Sequence, residues 1–524
     1  MDIVTKIISP LFSARWRTIE SFGKRLAEIQ YRQLCYLLHT AQNTEWGVSY
    51  GYKDIRQYKT FNERVPVATY EDFVPYIERM VNGEKNILWP STVRWFAKSS
   101  GTTNDRSKYI PVSREILRHC HYQGGFDTVA IYLHHNPHTR FFSKKSLILG
   151  GSHSPSALNA RTHCGDLSAV LLQNLNPFVN YVRVPRKEIM LMGEWESKIK
   201  AIVESTWKKD VVSLSGIPSW MLTLIKAVIQ KAGKETLSDV WPNLEVFFHG
   251  GIGFEPFRTQ YQTLIPSDKM HYMETYNASE GFFGLQDDPD DKSMLLMLDY
   301  GLFYEFIPVD EGMDHTAIIP LEAVKTGVNY AMVISTSGGL WRYNIGDTVC
   351  FTSLFPHKFI ITGRTKFFIN AFGEELMVDN AEKGIRRACQ ETNATIIAYT
   401  AAPLFLLEKG KGRHQWLIEF EKAPTSLSGF ATCLDKTLQQ LNSDYEAKRY
   451  KDISLLTPEI IPARANLFFD WMKSHHKLGG QHKIPNLSNN RDLINELLAM
   501  TGGDRICISH SIALSLPAKS SNNH

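Results

Sequence analysis

The chain has 524 residues, of which 43% are apolar and 21% charged, and its formal net charge is +4. That length is too great for one ordinary hydrophobic core, so two or more domains are expected, and the composition excludes disorder, collagen and coiled coil as the main architecture. The Lys and Arg residues are scattered rather than massed, which gives no case for a nucleic-acid partner.

The first residues, Met1 to Arg17, carry Asp2 and Lys6 inside their apolar stretch and do not read as a signal peptide. Residues 15–42 read as one long amphipathic helix, with Ile19, Phe22, Leu26, Ile29 and Leu34 near helical spacing. Strand-like runs then alternate with helical patterns. The strands are expected at Val93–Ala97, Ser146–Gly150, Val211–Ser215, Leu244–His249, Met294–Leu298 and Met332–Thr336, and the helices near 113–133, 194–206, 218–232 and 255–264. This alternation predicts α/β layers with largely buried strands. Several strands end in Gly- or Ser-rich turns, and ligands bind at the carboxyl ends of such strands.

From Gly363-Arg364 onward the pattern changes to short strands (Phe367–Asn370, Ile396–Thr400, Gln415–Phe420) and helices (379–391, 427–448, 465–474). This reads as a smaller α+β domain. The expected division is 1–365 for a large N-terminal α/β domain with layered sheets and 366–524 for a smaller C-terminal domain. The seven cysteines include no CxxC pair, and their number is odd, so a reducing compartment is expected. No window approaches the ~18 continuous apolar residues that span a bilayer. A cytoplasmic protein without a membrane partner is the expectation.

Five stretches carry candidate chemistry. The first is Ser99-Ser100-Gly101-Thr102-Thr103, closed by Lys108. Small residues let the backbone aim N–H groups at an anion, the hydroxyls add donors, and the lysine adds a compact positive charge. Taken alone it fits a polar surface turn equally well. It is not a Walker A loop, because GxxxxGK[ST] is absent. The second is Tyr276-Asn277-Ala278-Ser279-Glu280-Gly281, read as an aromatic, a hydroxyl and a carboxylate that follow one strand. The Tyr face can stack on a purine, Ser279 can bond a phosphate, and Glu280 can hold Mg2+, a hard cation that takes oxygen ligands. On its own, a strand end with an exposed Glu is the plainer reading.

The third stretch is Trp341 to Asp347, where Asp347 beside Gly346 can accept from both ribose hydroxyls. The fourth is Gly363-Arg364-Thr365-Lys366. The fifth, His249-Gly250-Gly251-Ile252-Gly253, follows a strand but lacks the third glycine of a dinucleotide fingerprint. No HExxH spacing joins the cluster His134, His135, His138 or the pair His475-His476, so these histidines read as structural or solvated. No GxSxG elbow is present, which disfavours a serine hydrolase. Leu167 to Val184 fits an acyl pocket or a plain core helix equally.

Each signal is weak alone; their order is not. Ser99 to Pro111 (SSGTTNDRSKYIP), Tyr276 to Gly284 (YNASEGFFG), Arg342 to Asp347 (RYNIGD) and Gly363-Arg364 together resemble the adenylate-forming superfamily. More closely, the chain resembles the Gretchen Hagen auxin-responsive acyl-acid amido synthetases, on its prokaryotic branch. Thr44 to Gly47 (TEWG), Tyr70 to Arg79 (YEDFVPYIER) and Gln481 to Pro485 (QHKIP) agree. Asp105, Trp341 and Asn486 depart from the family's usual Gly, Tyr and Arg.

The resemblance implies an adenylate-forming fold with a mobile C-terminal domain, and ATP and Mg2+ as cofactors. It implies adenylation of a small carboxylic acid and transfer of the acyl group to an amino acid amine. An acyl-CoA ligase and a non-catalytic nucleotide-binding protein are the alternatives. By the resemblance, Ser99, Ser100, Gly101, Thr102 and Thr103 would hold phosphates with Lys108 behind them. Gly250, Gly251 and Tyr276 would line the adenine site, Ser279 would touch phosphate, and Glu280 would hold Mg2+. Asp347 and Arg364 would bind ribose, Lys366 would be the hinge, and Lys483 the mobile lysine that aids adenylation.

Overall fold

The structure is a computed structural model that describes residues 3–99, 108–151, 156–175, 181–251, 254–309, 317–364, 368–374, 376–406, 411–452, 454–475 and 484–501. The expected helix 15–42 is two helices, α1 (Ile3–Glu20) and α2 (Phe22–Ala41). The break falls at Ser21, whose hydroxyl donates to the Thr18 carbonyl at 2.7 Å. A serine that bonds its own preceding turn competes with the helical ladder. The apolar stripe nevertheless continues across the break, with Ile19, Phe22, Leu26, Ile29 and Leu34 all buried.

β1 (Trp95–Ser99) and β2 (Lys108–Val112) are antiparallel, and Ser99 pairs with Lys108 as their last register position. The expected phosphate loop therefore joins the two strands of a hairpin. The helix expected at 113–133 runs from Arg114, widens into a π turn over Leu117–His121, and continues as α3 (Tyr122–His135). β3 (Lys145–Ile148), β4 (His163–Gly165) and β5 (Arg183–Val184) follow. Next come α4 (Trp195–Thr206), β6 (Val211–Gly216), α5 (Pro218–Ala232), β7 (Val246–Gly250) and α6 (Glu255–Leu264). The last three helices match their expected spans. Pro218 opens α5, where its missing N–H costs nothing, and Gly233 closes it at φ +63°, the left-handed stop that glycine adopts freely.

An antiparallel run completes the large sheet: β8 (His271–Ala278), β9 (Gly281–Leu285), β10 (Met294–Leu296), β11 (Leu302–Pro308), β12 (Asn329–Thr336), β13 (Tyr343–Leu354) and β14 (His357–Arg364). From the short edge strand Ile319–Pro320 the order is β11-β12-β13-β14-β10-β9-β8-β7-β6-β3-β5. Strands β8, β7, β6, β3 and β5 are mutually parallel, and those on the other side of β8 are antiparallel. β8 is thus the strand at which the sheet changes character. The parallel strands are packed by helices, as βα crossovers require: Ile202, Leu222, Ile225, Phe257 and Tyr261 share a core with Leu147, Leu214 and Phe247.

A separate small sheet follows α7 (Val378–Thr392). It is built from β15 (Thr395–Leu406), β16 (Lys411–Lys422) and β17 (Glu459–Pro462). Strand alternation sorts its two faces. Ala401, Trp416 and Ile418 face α7 and α8 (Leu427–Leu441), whereas Ala402 and Leu417 face α10 (Leu467–Ser474) and α11 (Asp492–Ala499). The expected helix 427–448 is divided after α8 by Asn442. That side chain accepts from the N–H groups of Asp444 (2.9 Å) and Tyr445 (2.8 Å) and so caps a new helix, α9 (Ser443–Arg449). Between this region and the large sheet, the Lys448 ammonium sits 3.7 Å from the Trp220 ring centroid, and Lys451 pairs with Glu196 at 2.8 Å.

Candidate active site

The sequence reading placed Tyr276 to Glu280 after a strand. The structure instead runs β8 through Ala278, so Tyr276 and Asn277 are strand residues with side chains on opposite faces. Ala278 pairs with Gly281, and Ser279-Glu280 form the two-residue turn into β9. Glu280 is 9% exposed, so its carboxylate lies at a buried rim rather than on an open strand end.

On one face the Tyr276 hydroxyl donates to Asp347 Oδ2. Between β8 and β13 lie β9, β10 and β14. In a flat sheet four spacings of ~4.8 Å would separate the two residues by roughly 19 Å. The hydrogen bond therefore requires the sheet to curl, and the ring of Tyr276 fills the curl, edge-on to Phe283 at 4.9 Å. Asp347 beside Gly346 is not at a loop. It is instead inside β13, opposite Arg364 in the β13–β14 register, and the turn-like element is Gly346 at φ +85°.

Lys108, at the foot of the β1–β2 hairpin, donates to the Tyr343 hydroxyl at 3.3 Å, and its ammonium lies 5.4 Å from the Tyr70 ring centroid. Tyr70 in turn accepts the Tyr109 N–H at 2.7 Å. The stem of the expected phosphate loop is thereby tied to the strand that carries Asp347. Gly250 ends β7 beside β8. A Cβ there would lie 2.3 Å from the Thr275 carbonyl oxygen, so only glycine allows this approach. Gly251 turns the chain at φ +83°.

Hence the Tyr276, Asp347 and Arg364 positions share one curled patch, Lys108 reaches it through Tyr343, and Gly250 abuts β8. Ser99 and Arg364 are described as strand ends only. Ser100, Gly101, Thr102, Thr103, Lys366 and Lys483 lie outside the described residues.

Three features escaped the sequence reading. Arg342, within the RYNIGD stretch, is structural. It is buried at φ +42°, and its guanidinium grips Glu305 with two hydrogen bonds of 2.9 Å, while Tyr58 donates to the same carboxylate at 3.0 Å. Burial pushes the Glu305 carboxyl up, and the arginine opposes that shift. Next, Lys198 is buried beneath the carboxyl end of β3. It donates to the carbonyls of Gly150 (3.2 Å) and Gly151 (2.6 Å), and burial lowers its ammonium to about 8. Last, the π turn brings His121 Nδ1 to 2.8 Å from Asn277 Oδ1, and Cys120 Sγ accepts the Phe282 N–H at 3.1 Å. The glycine pair Gly124-Gly125 was the legible trace of this close approach: a Cβ on Gly124 would meet the Phe282 ring at 2.4 Å.

Among the described residues no three His, Cys, Asp or Glu side chains gather as a metal cage. His134 is stacked on Trp16 with centroids 4.1 Å apart. A carboxylate such as Glu280 suits Mg2+, which takes one or two protein carboxylates and draws its other oxygens from phosphate and water.

Comparison with known proteins follows the same outline. Models of the GH3 family match in succession: its N-terminal domain over residues 15–270, its central domain over 295–364 and its C-terminal domain over 379–492. The 4-substituted benzoates-glutamate ligase GH3.12 of Arabidopsis thaliana is 23% identical over 508 residues, 81% of this chain and 86% of that protein. The indole-3-acetic acid-amido synthetase GH3.8 of Oryza sativa subsp. indica is 22% identical over 546 residues, 90% of this chain and 89% of that protein. Among solved structures, the GH3.15 acyl acid amido synthetase superposes with a TM-score of 0.60 at 19% identity, covering 94% of this chain and 96% of its own. A 2-hydroxyisobutyryl-CoA ligase bound to 2-HIB-AMP and CoA superposes with a TM-score of 0.53 at 12% identity, covering 90% of this chain and 92% of its own. Both share this fold.

Proposed function

The chain belongs to the GH3 family, and on that premise we propose that it joins a carboxylic acid to the amine of an amino acid at the expense of ATP. The observation that carries this reading is the hydrogen bond from Tyr276 to Asp347, 71 residues apart. It assembles two motifs that the chemistry needs together, one for the base and phosphates and one for the sugar.

The reaction has two steps. A carboxylate oxygen attacks the α-phosphorus of ATP, a P–O bond forms, and the bond to the β-phosphate oxygen breaks to release pyrophosphate. The amine nitrogen of an amino acid then attacks the acyl carbon, AMP leaves with the bonding pair, and the nitrogen loses a proton. A carboxylate is a poor electrophile, so the first step supplies the leaving group for the second. The enzyme's work is to position the groups and to neutralise charge on phosphorus.

In this reading Asp347 accepts from the ribose hydroxyls, with Arg364 beside the same sugar. Gly250 and Gly251 admit the adenine, and Tyr276 both stacks there and steadies Asp347. Ser99, Ser100, Gly101, Thr102, Thr103 and Ser279 hold phosphate oxygens, with Lys108 behind them. Glu280 would hold Mg2+, which when bound offsets phosphate charge. Residues 1–365 carry these sites. Residues 366–524 turn about Lys366 and bring Lys483 to the first step. Among the described residues no helix is long and apolar enough to cross a membrane, and a cytoplasmic setting is part of this reading.

The relatives named above act on benzoates with glutamate and on indole-3-acetic acid by their names, which favours an amide over a thioester product. ATP–pyrophosphate exchange tests the first step. Exchange that depends on an added carboxylic acid, and that weakens in Asp347→Ala through a higher ATP KM, is expected. Exchange with an unchanged ATP KM in that variant would remove the ribose assignment.

A further inference from the structure

The His121–Asn277 contact has no place in the nucleotide chemistry, yet it lies on the strand that carries it. Asn277 sits between Tyr276 and Ser279, on the face of β8 opposite Tyr276. The same face holds Thr275, whose hydroxyl donates to the His249 carbonyl at 3.1 Å, one residue before Gly250. His121 covers this face from the π turn, a conformation that is rare and gathers at functional sites. The turn is knit to the β8–β9 hairpin twice, by His121 to Asn277 and by Cys120 to the Phe282 N–H.

The hydrogen-bond arithmetic at His121 is definite. Asn277 presents Oδ1, which only accepts, so Nδ1 of His121 carries the proton. Burial holds the imidazole neutral, lowering it to about 4. Nε2 then carries a lone pair and no proton. That atom is buried and has no partner among the described residues. A buried acceptor left unmade costs free energy, and such an atom calls for an explanation. His249, His357 and His414 also each have a buried ring nitrogen without a partner. None of those three sits on a π turn bonded to the Tyr276–Glu280 segment.

We infer that His121 Nε2 is the polar recognition point for the body of the carboxylic acid, accepting a hydrogen bond from an N–H or O–H of the substrate, so that acids bearing such a donor are preferred over isosteres that lack it. This rests on the adenylation reading and adds to it the chemical class of acid. Asn277 is a positioning residue: by fixing the tautomer it makes Nε2 an acceptor rather than a donor. A site that hydrogen-bonds a substrate donor discriminates through the group left unpaired when the donor is absent.

The test uses the full-length enzyme and acid-dependent ATP–pyrophosphate exchange with two matched pairs of acids: indole-3-acetate against naphthalene-1-acetate, and 4-hydroxybenzoate against benzoate. In the unaltered enzyme kcat/KM is expected to favour the donor-bearing acid of at least one pair by roughly tenfold or more. His121→Leu should erase that preference while leaving the ATP KM in place. His121→Gln keeps a neutral acceptor in a polar side chain, so it should retain part of the preference and guards against a folding failure of the leucine variant. Asn277→Asp favours a proton on both ring nitrogens and turns Nε2 into a donor, so it should abolish a preference for indole-3-acetate, whose N–H only donates, while a preference for 4-hydroxybenzoate, whose hydroxyl also accepts, should persist. Acid-dependent exchange with no preference in either pair, or equal losses for both acids of a pair in His121→Leu, overturns the inference and leaves adenylation standing. No exchange with any acid overturns the adenylation reading, and this inference with it.

Discussion

The two halves of the large sheet are held together by different means. On the parallel side, β7, β6 and β3 run into Gly-rich ends, and the chain there is kept open by glycine and pinned from below. Lys198 grips Gly150 and Gly151, and Gly250 presses on Thr275. On the antiparallel side, the strands are locked by buried polar networks. Arg342, Glu305 and Tyr58 form one network; Arg15, Asp127 and Tyr300 form another, with Arg15 Nε donating to Asp127 at 2.9 Å and the Tyr300 hydroxyl donating to the same carboxylate at 2.7 Å. The candidate site lies where the two meet, on β8. The comparison teaches that one side supplies access and the other supplies a rigid frame, and that residues adjacent in a motif can serve opposite ends. Arg342 builds the frame; Asp347, five residues on, belongs to the candidate site.

This division can be broken by substitution. The largest expected effect is at the meeting point. Glu280→Gln should lower acid-dependent pyrophosphate exchange by roughly a thousandfold, the scale of losing a preorganised charge partner in phosphoryl transfer, with a cooperative melting transition retained. Wild-type exchange in that variant would remove the metal role. Next comes the frame. Arg342→Met leaves the Glu305 carboxylate buried without its partner and should cost about 3–5 kcal/mol in urea unfolding. A loss near zero would show that the network does not hold the antiparallel half.

Asp347→Ala should raise the ATP KM by about 10–100-fold, the scale of losing hydrogen bonds to a charged acceptor, while stability falls by about 1–3 kcal/mol for the Tyr276 hydroxyl left unpaired. A large drop in stability with an unaltered KM would move Asp347 from the site to the frame. Acid comes next in size. His121 and His249 are held neutral by burial, lowered to about 4 and about 3. Above pH ~6.5 both folded and unfolded states are neutral at these residues and their contribution does not vary. As pH falls from 6.5 toward 4 the unfolded chain binds protons that the fold refuses, so stability declines across that window. His249→Phe should flatten the decline; an unchanged slope would count against a buried neutral His249. The smallest effect is Tyr276→Phe, which keeps the ring and removes one hydrogen bond, for about 1 kcal/mol in ATP binding.

Helices at 218–232 and 255–264 were legible to the residue, because Pro218 fixes the start of the first and both alternate apolar and polar faces at helical spacing. The breaks at Ser21 and Asn442 were not, since a side chain that bonds its own backbone interrupts a helix without disturbing its apolar stripe. At the site, the residue types and their order were legible and their settings were not. Asp347 and Tyr276 are strand residues because the sheet curls there, and curl is a property of many strands at once. Arg342 looked like part of a ligand motif; its partner Glu305 lies 37 residues earlier in an apolar strand, where a buried carboxylate gives no local signal. The π turn left only Gly124-Gly125 as a trace in an otherwise helical pattern.

The central claim is that one patch on β8 activates an acid and that the acyl group then passes to an amine. Product identification by mass spectrometry tests it most directly: the full-length chain is incubated with Mg2+, ATP, a panel of carboxylic acids, and either amino acids or CoA. The account predicts AMP and an acyl–amino acid amide, formed together and lost together in Glu280→Gln. A thioester in place of the amide, or ATP left intact with every acid, would contradict it.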